Sequence, residues 1–83
     1  MHVSVYSLKN VLYEGEAKSV NCKTRLGEIT VLDHHRPLIS ALTKGIVKIV
    51  DSENQEHYIP MGSGFLEVRS NTARLLVDEA PAG

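Results

Sequence analysis

Eighty-three residues with nine basic and ten acidic side chains, a net charge of −1, leave room for one small domain, near the lower limit at which a core holds without disulfides or metal. The charges are scattered with no block of one sign, which excludes a nucleic-acid footprint or a patch for anionic lipid. No apolar run approaches the roughly 20 residues of a membrane helix, and the first residues lack the charged and apolar regions of a signal peptide, so the chain reads as soluble and not inserted in a membrane.

The hydrophobic fraction is 42%, but there are only four aromatic residues and no Trp. Aliphatic side chains must therefore fill the core, and the abundance of Val, Ile and Leu favours sheet. Val3 and Val5 open the chain with period-two alternation, and Lys9-Asn10 supplies the first turn. Val20 and Cys22 alternate on one face of the next strand, which ends at Arg25-Leu26-Gly27. Ile29 and Val31 form a short strand, Asp33-His34-His35-Arg36 a charged loop, and Pro37 launches a strand through Leu38, Ser40 and Leu42. After Lys44-Gly45, two hairpins are readable: Gly45 to Met61 around Asp51-Ser52-Glu53-Asn54, and Phe65 to Val77 around Ser70-Asn71. Gly62-Ser63-Gly64 reads as a bend or bulge between strands. Turns recur about every 8 to 17 residues, the rhythm of an all-β sandwich or barrel. One domain over 1–79 is expected, with Ala80-Pro81-Ala82-Gly83 as a fraying end.

Candidate chemistry is sparse. Asp33-His34-His35 spells a motif of metal-dependent phosphoesterases, and carboxylate and imidazole do suit divalent ions. Neighbouring side chains on an extended segment point to opposite sides, however, so the three do not converge without a tight turn. A site from His2, His34, His35 and His57 has no ligand spacing to recommend it. Cys22, the sole cysteine, lies on a face that calls for a buried hydrophobe rather than a nucleophile, and it lacks a disulfide partner. Gly62-Ser63-Gly64 lacks the Lys and helix of a phosphate loop. No catalytic, cofactor-binding or metal-binding residue is predicted.

Three blocks carry a resemblance. Gly27 to Leu42, GEITVLDHHRPLISAL, is similar to the G-E-(hydrophobic)-G-(hydrophobic)-x-P-G-H-A-P-L segment of the epsilon subunit of F-type ATP synthase. Tyr13 to Val20, YEGEAKSV, resembles that family's F-x-G-x-x-x-x-V run. Gly62 to Ala80, GSGFLEVRSNTARLLVDEA, resembles its S-G-G-F-L-E-V…V-T-V-L-A-D-x-A ending. The resemblance implies a flattened sandwich of two antiparallel five-stranded sheets and a non-catalytic subunit of the rotating central stalk, which couples ion translocation to ATP synthesis at sites on other subunits. It implies that Gly27 and Glu28 meet the polar loops of the c-ring, and that Ser7, His35 and Ser40 meet the gamma subunit. Apolar Ile39, Ile59 and Leu76 are candidates for further gamma contact. An exposed ion pair from Glu28 contributes about 0.2–1 kcal/mol, so a broader surface must transmit torque.

Most bacterial members of that family continue into a helical hairpin that can extend and inhibit ATP hydrolysis. This sequence stops where that hairpin would begin, so inhibition through the hairpin is not expected of it, whether the form is naturally short or excised. The resemblance implies a location at the cytoplasmic face of the bacterial plasma membrane, ahead of the thylakoid. Thr30, Asp33, His34 and Arg36 replace the family's Gly, Pro, Gly and Ala, making the loop bulkier and more charged. Outside the family reading stand a free-standing β-sandwich adaptor and, on Asp33, His34 and His35, a small metal-dependent hydrolase.

Overall fold

A computed structural model describes residues 1–79; the expected fraying of 80–83 lies outside the described residues. Seven strands follow one another: β1 (His2–Tyr6), β2 (Val11–Thr24), β3 (Gly27–Leu32), β4 (Leu38–Leu42), β5 (Gly45–Asp51), β6 (Glu56–Arg69) and β7 (Thr72–Glu79). No helix interrupts them among the described residues.

Two strands of 14 residues, β2 and β6, organise the molecule because each serves both layers of the sandwich. In the first layer, β4 pairs with the second half of β6, β6 with β7, β7 with β1, and β1 with the first half of β2. In the second, β3 pairs with the second half of β2, β2 with β5, and β5 with the first half of β6. Glu79 at the end of β7 reaches Met61 on this layer's edge. The ladder shifts register between Ala17 and Ser19 in β2 and between Met61 and Gly64 in β6, where each long strand leaves one layer for the other. Such bulges bend a strand and raise its twist.

The sandwich is all-β as expected, but the sheets are not antiparallel throughout, because β1 and β7 run parallel, and the second layer is built from four strands, β3, β2, β5 and β6, rather than five. Gly62-Ser63-Gly64 lies inside β6 rather than between two strands. Gly64 is required there, since an added Cβ would sit 2.3 Å from the Leu76 carbonyl oxygen and 2.9 Å from Val77 Cα. Turn residues and bulge residues share the same chemistry, so sequence alone does not separate the two.

The core forms between the layers from the inward-facing residues of both. Val3, Val5, Leu66 and Leu75 come from the first, and Val20, Val31, Val47 and Ile49 from the second, all fully or almost fully removed from solvent. Each contributes about 1.5–3 kcal/mol of burial. Cys22 is among them, and burial pushes its thiol up to about 11, so it packs as a small hydrophobe. Ile59 also packs against this core, which corrects its assignment as a docking residue.

Tight turns fix the hairpins. Ser70 and Asn71, at φ 51° and 56°, form the two-residue connection between Arg69 and Thr72, the geometry that matches strand twist. At the β5–β6 turn the Asp51 carboxylate accepts from the amides of Glu53 and Gln55 at 2.8 and 2.9 Å. The His57 ring nitrogen Nε2 lies 2.8 Å from the other carboxylate oxygen and, with those amides, holds the Asp51 carboxyl below its ordinary range.

Candidate docking surfaces

The strand β3 separates two candidate sites. Gly27 and Glu28 stand at its start and the 33–36 loop follows its end, about 20 Å away for six extended residues.

At the start, Thr24 shapes the β2–β3 turn: its Oγ1 donates to the Gly27 carbonyl at 2.8 Å and accepts from the Leu26 amide at 3.1 Å. Gly27 adopts φ 128°, a conformation L side chains rarely take. Glu28 is exposed and opposite Lys23. Leu26, which the sequence reading passed over as a turn residue, is 100% exposed at the tip. An apolar side chain beside a carboxylate gives this end both a hydrophobic and an ionic means of contact.

At the other end, the charged loop is held by separate anchors. The Asp33 carboxylate bonds the α-amino group of Met1, which also donates to the Ala17 carbonyl at 3.1 Å. That bond keeps the Asp33 carboxyl below its ordinary value. His34 takes φ 61°, and its amide donates to Asn71 Oδ1 at 2.8 Å, tying the loop to the β6–β7 turn. His35 is half-buried, and its Nδ1–H donates to the Arg36 carbonyl at 2.7 Å. The Asp33 carboxylate is engaged with the Met1 amino group and the His35 ring with the Arg36 carbonyl, so Asp33, His34 and His35 do not form a ligand set. Nor do the four histidines: His2 lies 3.1 and 3.3 Å from Glu16 and Glu14, and His57 pairs with Asp51. No group of three or more His, Cys, Asp or Glu side chains among the described residues is placed to hold a metal ion.

Of the other two residues expected at gamma, Ser7 braces the β1–β2 turn. Its hydroxyl accepts from the amides of Lys9 and Asn10 and donates to the Glu79 carboxylate at 2.9 Å. Ser40 is half-buried on the inward side of β4, beside Leu38 and Leu42 and opposite buried Leu66. Its neighbours Ile39, 75% exposed, and Ala41 face outward.

The outward face of the first layer carries a contiguous apolar surface. Successive pairings align Val11, Tyr6, Leu76, Phe65 and Ala41 in one row across five strands. Phe65 is 62% exposed, and Leu8, 94% exposed, stands next to it at the rim of a 340 Å³ concavity. Contiguous exposed apolar side chains mark an interaction site where scattered ones do not. Leu76 was anticipated, but Phe65 and Tyr6 were not. The signal was present in the alternation, because burying Leu66 and Val5 turns Phe65 and Tyr6 outward.

Comparison with known proteins agrees with this architecture. Residues 1–83 match the family model described as "ATP synthase, Delta/Epsilon chain, beta-sandwich domain". The ATP synthase epsilon chain of Bordetella parapertussis is 39% identical over 80 residues, covering 96% of this chain and 57% of the relative. That of Bordetella avium is similar to the same extent. The chain therefore spans a little over half the length of these relatives. Among solved structures, a chain of the Euglena gracilis mitochondrial ATP synthase (OSCP/F1/c-ring) superposes with a TM-score of 0.87 at 17% identity, over 95% of this chain and 51% of that one. A chain of the Tetrahymena thermophila mitochondrial ATP synthase central stalk and c-ring gives 0.81 at 16%, over 95% and 63%. With the family model matched from end to end, the chain belongs to the ATP synthase delta/epsilon family and comprises its β-sandwich domain.

Proposed function

We propose that the chain works as a non-catalytic rotor element of an F-type ATP synthase, fastening the gamma subunit to the c-ring so that ion-driven rotation reaches catalytic sites on other subunits. The observation that carries this reading is the apolar row from Val11 to Ala41 on the outward face of the first layer. A surface of that extent calls for a protein partner. Gamma covers it, with the His35 loop and the Ser7 turn at its margins, while Leu26, Gly27 and Glu28 meet the polar loops of the c-ring. The domain then sits at the inner face of the bacterial plasma membrane without entering the bilayer.

Co-expression with gamma from the same genome, followed by size-exclusion chromatography with mass determination, tests this. A stable one-to-one complex is the expected result. A folded chain that elutes alone removes the rotor reading and leaves a β-sandwich adaptor for another protein.

A further inference from the structure

We infer that Glu79 is a positioning residue of the docking face: its carboxylate clamps the Ser7–Asn10 turn and so holds Leu8 out as a preformed anchor for gamma. The inference rests on the gamma-docking reading and specifies one side chain through which that contact is made. Because β1 and β7 run parallel, their ends point the same way. The ladder between them closes at Tyr6 and Leu76, and β7 continues through Val77 and Asp78 to Glu79. That overhang carries the carboxylate alongside the turn that joins β1 to β2.

Polar contacts order this turn, since Leu8 is 94% exposed and gains almost nothing from burial. The Ser7 amide donates to the Asn10 carbonyl at 2.8 Å, and the Ser7 hydroxyl accepts from the Lys9 and Asn10 amides at 3.2 and 3.0 Å. Glu79 fastens that unit from outside. Its Oε2 accepts from the Ser7 hydroxyl at 2.9 Å, and its Oε1 and Oε2 lie 3.2 and 3.1 Å from Asn10 Nδ2. A carboxylate only accepts, and both partners here donate, so the pairing is complementary. The Leu26 tip is shaped by Thr24 beside it, whereas the Leu8 turn is held from 69 and 72 residues away.

The clamp sets Leu8 at the margin of the apolar row. Leu8 stands between a 340 Å³ concavity that it lines with Phe65 and Leu76 and one of 260 Å³ that it lines with Ser7, Lys9 and Glu79. It therefore extends the surface that Phe65 and Leu76 begin. A leucine already held in place adds contact to a partner without the ordering cost that a loose turn incurs on binding. Glu79 falls at a position that the family pattern leaves unspecified, and Leu8 lies outside the three matched blocks. The pair thus belongs to this chain's own version of the face.

A double-mutant cycle on the gamma complex tests the coupling. Leu8→Ala is expected to weaken gamma binding about ten-fold and Glu79→Ala about five-fold, while the double variant stays within about two-fold of Leu8→Ala alone. Glu79→Gln, which keeps one acceptor oxygen, is expected to fall between the parent chain and Glu79→Ala. Hydrogen–deuterium exchange on the free chain reads the clamp itself. The Lys9 and Asn10 amides should exchange about three-fold faster or more in Glu79→Ala, with the urea midpoint nearly unchanged because Glu79 is exposed. Unchanged exchange overturns the clamp. A complex whose affinity ignores Leu8→Ala or Glu79→Ala overturns the positioning role while the gamma reading stands. Losses that add in the double variant mean that Glu79 touches gamma itself, and overturn its action through Leu8. Failure of the parent chain to form any complex removes the gamma reading and this inference with it.

Discussion

The outward faces of the two layers share the long strands β2 and β6 but finish differently. On the second layer, the central outward row from Thr30 through Asn21 and Lys48 to Tyr58 is engaged with itself and its neighbours. Asn21 donates to Thr30 Oγ1 at 2.9 Å, Lys48 lies 3.3 Å from Glu56, and the Tyr58 hydroxyl donates to Glu56 at 2.6 Å. The Lys48 ammonium stands 5.9 Å from the Tyr58 ring centre, within cation–π range. Leu32 and Ile46 are exposed on this face too, but the polar row runs between them. On the first layer the corresponding row is apolar from end to end. Inward alternation makes the fold in both layers; only the outward set distinguishes a polar, self-engaged face from an apolar one.

The largest perturbation should remove both faces at once. Gly64→Val drives a side chain into the β7 backbone where β6 crosses between layers. It is expected to cost more than about 3 kcal/mol or to prevent folding. Gly62→Ala, whose Cβ would meet nothing closer than 3.5 Å, is expected to stay within about 1 kcal/mol in urea titrations.

A matched pair sharpens the contrast between faces. Phe65→Ser should leave stability within about 0.5 kcal/mol, because Phe65 is already exposed, yet weaken gamma binding about ten-fold or more through loss of an aromatic anchor. Tyr58→Ser, equally exposed on the other face, should leave gamma binding unchanged in the same titration. Equal losses from both would mean that the two faces do not differ in gamma binding.

Acid should act mainly through bracing carboxylates rather than through the apolar face. Asp33, Asp51 and Glu56 all ionise more readily than usual, Glu56 through Tyr58 first and then Lys48. A folded-state value below the unfolded one means that the stabilisation is present above the ordinary carboxylate range and is lost as pH falls through the lowered value. Urea midpoints should therefore drop from neutral pH to about pH 2, and Asp51→Asn should reduce that drop by lowering the neutral value alone. The smallest effect is expected of Glu56→Gln, a barely measurable shift in the urea midpoint, because its ion pair is exposed.

Much of this architecture is legible in the sequence for physical reasons. Period-two burial marks Val20 and Cys22, Val47 and Ile49, and Ala73, Leu75 and Val77. The turns at Asp51 to Asn54 and Ser70-Asn71 carry residues that tolerate left-handed backbone or bond to it. The long strands are less legible. Tyr13 and Gly15 weaken the apolar alternation in the first half of β2, and the glycines at 62 and 64 read equally as an interruption. The parallel pairing of β1 with β7 brings together opposite ends of the chain, which no local pattern announces. At the candidate docking surfaces, the Glu28 tip and the His35 loop were suggested by the family resemblance rather than by any local pattern. The backbone amide of His34 and the hydroxyl of Ser7 act on segments 37 and 72 residues away, beyond the reach of local reading.

Because β2 and β6 run unbroken from one layer into the other, the sandwich is stitched by covalent backbone at two crossings as well as by its apolar core. Sliding one layer over the other would have to stretch or unbend those strands, not merely shear a greasy interface. A load applied at the Leu26 tip would therefore pass along peptide bonds and their cross-strand ladders, and not through the apolar interface alone.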